Sequence, residues 1–171
     1  MHTARLARVP GRLFAAALAA LVLATLLVAQ PARAETEPKV VYHADFADPR
    51  RFSAMLTSIN NMVTQYQNEL VDYDVRIVFV AHGIRFVTDD KLEGTPFEED
   101  AEMAERRENN ASRLKALHTV QGVKLEVCDI TRGQIGLDAA KLYDGVELVT
   151  SGVVRIAELQ QREGFAYIKV E

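Results

Sequence analysis

Arg76-Ile77-Val78-Phe79-Val80-Ala81 is the stretch that decides the fold. Five apolar residues in a row, dominated by β-branched and aromatic side chains, are too few for a helix. They read as a strand covered on both faces, which is the environment of a parallel sheet with helices above and below. Similar short runs occur at residues 39–43, 123–128, 146–149 and 165–170, and longer segments of helical period separate them. The alternation implies one α/β domain over residues 39–171, with a mainly parallel central sheet of about five strands flanked by helices.

The helices announce their ends. Asp48 is placed to cap a first helix with Pro49 in its opening turn, and Phe52, Met55, Leu56, Ile59, Val63, Tyr66 and Leu70 follow as one apolar stripe. Thr95-Pro96-Phe97-Glu98 has capping-box spacing and predicts the start of a second helix. The acidic run at residues 98–108 reads as its solvated face, with docking of a basic partner as the lesser reading. A last helix spans residues 151–163, with Ser151 as its cap and Gly164 as a left-handed stop. Residues 82–91 fit either a short extra strand or one helical turn, and residues 129–133 read as a polar turn.

Arg5, Arg8 and Arg12 precede an apolar stretch at residues 13–29, and Pro31-Ala32-Arg33-Ala34 follows. That order predicts a signal peptide over residues 1–34, cleaved after Ala34, and hence an exported, periplasmic protein. Retention of the segment as an anchor is the alternative, and the only route to a membrane. Residues 35–38 then form a short leader. Cleavage removes four arginines and no acid, taking the formal charge from −4 to −8. So acidic a product lacks the basic footprint of a phosphate-backbone binder, and nucleic acid is not an expected partner.

Cys128 is the only cysteine. It closes no internal disulfide, so it is an inert buried residue, half of an intermolecular bond, or a reactive thiol. In a parallel sheet the carboxyl ends of the strands form one edge. That edge collects Cys128 with His82, and with His43, Asp129, Thr131, Arg132, Thr150, Ser151 and Gly152 as candidate crevice residues. Each also has an ordinary structural role: cysteine as a buried residue, histidine as a hydrogen-bonded turn residue, the others as turn and cap residues. Their grouping around a thiol is what favours chemistry. A reactive thiol needs nearby positive charge or amide donors, for which Arg132, the imidazoles and a helix start are available, while Asp129 opposes ionisation.

Other chemistries lack their signatures. No Cys-x-x-Cys or His-x-x-x-His pair supports a metal, no three-glycine or Walker motif supports a nucleotide cofactor, and Ser151 has no Gly-x-Ser-x-Gly around it. No cofactor or metal is expected.

Val41-Tyr42-His43, Ser58-Ile59-Asn60-Asn61-Met62, Ala81-His82-Gly83, Gly122-Val123-Lys124-Leu125-Glu126-Val127-Cys128 and Gly145-Val146-Glu147-Leu148-Val149-Thr150-Ser151-Gly152 occur in that order. Together with Leu159-Gln160-Gln161 and Gly164-Phe165-Ala166-Tyr167-Ile168-Lys169, they resemble the DsrE/DsrF-like proteins across nearly all of residues 39–170. The resemblance implies a small α/β domain with flavodoxin-like layering, assembled as a trimer or hexamer, and a role in sulfur relay. It also implies that Cys128, in its Gly-Val-x-Leu-x-x-Cys context, carries sulfur as a persulfide between donor and acceptor proteins. His82 is a candidate from strand geometry alone. The competing expectation is a non-enzymatic oligomeric module that binds a small anion or ligand in the strand-end crevice, with Cys128 as a lining residue.

Overall fold

The computed structural model describes residues 37–171; the expected signal segment and the first half of the leader lie outside the described residues. Strands β1 (Lys39–Ala44), β2 (Asp74–Phe79), β3 (Lys124–Cys128), β4 (Val146–Val149) and β5 (Ala166–Ile168) form one sheet. Their order is β4-β3-β2-β1-β5, and every neighbouring pair is parallel. The helices are α1 (Pro49–Asn68), α2 (Ala101–Thr119), α3 (Asp129–Gln134) and α4 (Gly152–Glu163).

From β1 to β4 the chain steps in one direction across the sheet, then returns over three strands to β5. Parallel crossovers are right-handed, so reversing direction moves the connecting helix to the other face. The packing follows this rule. Residues of α1 and α2, including Phe52, Ile59 and Leu114, share a core with Tyr42, Phe79 and Leu125, and Leu137 and Tyr143 of the β3–β4 connection join it. Ile156 and Leu159 of α4 pack against Val41 and Val78 on the opposite face.

Helix ends match the sequence at two places. Asp48 Oδ1 accepts from the amides of Arg50 at 2.7 Å and Arg51 at 3.1 Å, and Gly164 closes α4 at φ 77°. Elsewhere the structure corrects the expectation. The second helix starts at Ala101, with Asp100 accepting from Met103 N at 2.8 Å. Thr95 and Glu98 close a turn instead: Thr95 Oγ1 donates to Leu92 O at 2.8 Å, and Glu98 Oε2 accepts from Gly94 N at 2.9 Å. Arg85, buried beneath, donates to Glu98 O and Asp100 Oδ2, which holds this segment out of helical register. The acidic run is not only a solvated face, because Glu99 pairs with Arg107 at 2.7 Å and Glu102 with Arg50.

Residues 81–86 form a 3-10 helix, the helical option, while the strand-like option survives as a single antiparallel bridge from Thr88 to Leu142. β2 stops at Phe79, two residues early, because Ala81 turns the chain out of the sheet at φ 49°. Residues 129–133 belong to the short helix α3 rather than a turn, and β5 keeps only three of its expected residues.

Beneath α4 lies a charged layer. Glu126, 2 % exposed, accepts from Arg76 Nη1 at 2.8 Å and from Arg155 Nε at 2.9 Å. Arg76 also pairs with Asp74 at 2.7 Å, Arg155 with Glu163 at 2.7 Å, and Lys124 with Asp74 at 2.9 Å. A lone buried carboxylate is costly, and two guanidinium forks compensate it. Removing one partner leaves the others uncompensated, so Glu126→Gln should lower the unfolding free energy by about 3 kcal/mol in urea titration at neutral pH. Burial acts to raise the Asp74 pKa, but its bonds to Arg76 and Lys124 win and hold it below the usual carboxylate range. With the folded value below the unfolded one, this contribution is complete at neutral pH and disappears as pH falls below about 4. Asp74→Asn should flatten that acid limb of the stability curve.

Candidate functional site

β3 sends its chain toward the α1/α2 face, whereas β4 sends its chain to α4 on the other. Between the carboxyl ends of these two neighbours the loops diverge, which is where open parallel sheets form their binding crevices. Cys128 and Val149 are register partners at that point.

Cys128 is a free thiol, 5 % exposed, on the side of the sheet that α4 covers. The approach of α4 is tight. A Cβ on Gly152 would stand 3.1 Å from Cys128 Cβ and 2.5 Å from Val80 Cγ2, so the first helical residue must be glycine for reasons of space. Burial pushes the thiol pKa up. The amides of Gly152 and Thr131, the Thr131 hydroxyl and the Ile130 amide act in the opposite sense, and together they bring the pKa below its ordinary value. Cys128 occupies the N-cap position of α3, and its side chain closes no capping hydrogen bond there. These donors stabilise the anion relative to an ordinary thiol, as expected near helix starts.

Of the residues expected at this edge, Thr131 and Gly152 are brought to the sulfur. Arg132 is not a source of charge for it: Nε pairs with Asp129 at 2.6 Å and Nη1 donates to Leu137 O at 2.6 Å. The same pairing engages the Asp129 carboxylate that was expected to oppose ionisation. Ser151 sits at the start of α4 without a side-chain capping bond, and Thr150 is exposed. His82 packs edge-on against Phe97, ring centroids 5.0 Å apart.

His43 lies two strands from β3, roughly 10 Å across the sheet at normal strand spacing. Its Nδ1 shares a 3.0 Å hydrogen bond with the Tyr167 hydroxyl, and its buried Nε2 has no hydrogen-bond partner. Burial lowers its pKa, Asp45 opposes this, and Lys169 adds to the lowering. The neutral ring is the form this setting holds.

Sequence reasoning missed the Ile130 amide and the Glu126–Arg155 pair that seats α4 over the thiol. A glutamate inside an apolar strand was the one signal available for that pair. Among the described residues no group of three or more His, Cys, Asp or Glu side chains is arranged to hold a metal ion. Surface clefts lie away from the thiol, among them one of about 370 Å³ between α1 and α2 at Leu56, Asn60 and Arg113 and one of about 360 Å³ at Lys115, His118 and Tyr143.

Gly152→Ala should displace the first turn of α4. The expected outcome is a destabilisation of about 1–3 kcal/mol from overpacking, together with a thiol pKa moved upward, read from thiolate absorbance during a pH titration.

The model of the DsrE/DsrF-like family matches residues 40–170. Among solved structures, a protein of unknown function, MTH1491, from Methanobacterium thermoautotrophicum is 26 % identical with a TM-score of 0.57, and the alignment covers 78 % of this chain and 99 % of that one. The ychN protein from E. coli shares the fold at 21 % identity and a TM-score of 0.50, over 77 % of this chain and 98 % of that one. No curated protein matches. A five-stranded parallel sheet with a cysteine closing its third strand, matched to the family model over almost the whole described region, places this chain in the DsrE/DsrF-like family.

Proposed function

We propose that this protein is an exported sulfur carrier that holds sulfane sulfur as a persulfide on Cys128. The observation that carries this reading is the set of amide and hydroxyl donors gathered on one thiol at the switch point of the sheet. Such an array stabilises an anionic sulfur without a formal charge nearby, which suits a thiolate and equally the persulfide anion that replaces it. The Cys128 thiolate attacks the outer sulfur of a donor persulfide, R–S–SH. The new S–S bond forms on Cys128, the donor's S–S bond breaks, and the inner sulfur of the donor leaves as a thiolate that takes the proton from the transferred sulfur, giving R–SH. Cys128 becomes a persulfide anion, and the reverse chemistry passes the sulfur to an acceptor thiol. No outside oxidant is consumed.

Donor and acceptor proteins must approach a thiol that is 5 % exposed. The cover is thin: Ile130 and Val153, directly beside the amides at the sulfur, are 51 % and 58 % exposed. One helix over this face of a five-stranded sheet also leaves Val153, Val154 and Tyr167 open. That surface supports assembly into a trimer or hexamer. The arginine-led apolar segment before residue 35 supports export to the periplasm, where a thiol shielded by cover and subunit contacts escapes oxidation.

Incubating the mature protein with polysulfide should add the mass of one sulfur atom in intact-mass spectra, reversibly with dithiothreitol and not in Cys128→Ser. An absent adduct on a thiol that still alkylates would overturn the carrier reading and favour a ligand-binding module. The same spectra, on protein from a periplasmic extract, should show a chain that begins at Glu35, and sedimentation should give a trimer or hexamer.

A further inference from the structure

β5 is an outermost strand of the sheet, three residues long, and pairs only with β1. So short a strand leans on its side chains. Two contacts at the carboxyl end of β1 hold it: His43 Nδ1 meets the Tyr167 hydroxyl at 3.0 Å, and Asp45 Oδ2 accepts from Lys169 Nζ at 3.0 Å. The His43 side chain is 13 % exposed, and its Nε2 is buried without a hydrogen-bond partner, 3.9 Å from Asp45 Oδ2. The other charges near this edge are engaged elsewhere. Glu171 pairs with Arg51 of α1 at 2.9 Å and lies 4.0 Å from Lys169. On α4, Arg155 is held by Glu126 and Glu163, and Arg162 by Glu158. On β2, the register partner of His43 is the uncharged Val78.

A carboxylate so near Nε2 favours the tautomer that carries its hydrogen there, which leaves Nδ1 bare to accept from Tyr167. A second proton then enters at Nδ1. The tyrosine must give up its donor role, and the new charge arrives half-buried beside an ammonium, with one carboxylate to serve both cations. A single proton thus disturbs both contacts that hold β5. We propose that His43, Tyr167, Asp45 and Lys169 form an acid-sensitive clasp, in which the neutral ring holds β5 on the sheet and protonation of the ring releases it. Release bares the backbone edge of β1 to pairing with another strand. Burial, aided by Lys169 and opposed by Asp45, lowers the ring's pKa, so the folded clasp binds its proton less readily than the unfolded chain does. Its contribution to stability is therefore complete above about pH 6.5 and is lost as pH falls below that value. The clasp is independent of the carrier reading, because Cys128 takes no part in it.

Hydrogen exchange followed by NMR gives protection factors for the amides of β5 and of the central strand β2 between about pH 7.5 and pH 5, a window that brackets the ordinary histidine value. In wild type β5 should lose protection on acidification while β2 keeps its own. His43→Gln, neutral at every pH, should hold the protection of β5 constant. Lys169→Gln frees Asp45 for the charged ring and should shrink the loss. If His43→Gln does not fold by circular dichroism, the titration of the His43 ring in wild type takes its place, and its midpoint should coincide with that of the loss at β5. Protection of β5 that stays constant or rises in acid overturns the proposal. So does an equal loss in His43→Gln, an undiminished loss in Lys169→Gln, or a ring midpoint apart from that of the loss.

Discussion

Glu126 is the residue on which the architecture of the thiol depends. Its carboxylate lies almost fully buried on β3, two residues before Cys128, and Arg155 of α4 reaches down to it. Two charges so placed are stable only as a pair, and the pair has a direction. It fixes α4 along the sheet at the register that brings Gly152 over the sulfur. Arg76 takes the other side of the same carboxylate, so β2, β3 and α4 are joined by one ion network. A hydrophobic contact in its place would tolerate sliding; a bidentate guanidinium–carboxylate contact does not.

What this rigidity supplies is a field of dipoles rather than a charge. The groups that lower the Cys128 pKa against the effect of burial are the amides of Gly152, Thr131 and Ile130 and the Thr131 hydroxyl. Neutral donors at fixed positions favour an anion without binding it as a salt. The arrangement requires that β4 leave the sheet on the opposite face from β3. Right-handed crossover chemistry makes that unavoidable once the last strand is added beyond β1.

The polar groups farther along the same edge belong to different tasks. His43, Tyr167, Asp45 and Lys169 tie β5, only three residues long, to β1. Arg85 fastens the loop that precedes α2. His82 packs against Phe97. A common edge brings such side chains near one another in projection, yet each neighbouring strand adds about 5 Å, and chemistry needs contact.

By itself the sequence determined the class of the fold and the place of its thiol. Runs such as residues 76–81 alternate with amphipathic segments, local caps at Asp48 and Gly164 mark helix ends, and both signals are written in neighbouring residues. Cys128 at a strand end was legible for the same reason. The start of α2 was not, because Thr95 and Glu98 satisfy each other's turn locally while Arg85, buried before that turn, claims the backbone. Nor were the groups that act on the sulfur. Backbone amides carry no residue identity, and the hydroxyl of Thr131 meets the amide of Ala81, fifty residues earlier. Which side chains converge is a property of register and crossover direction, and these are settled only when the whole sheet is closed.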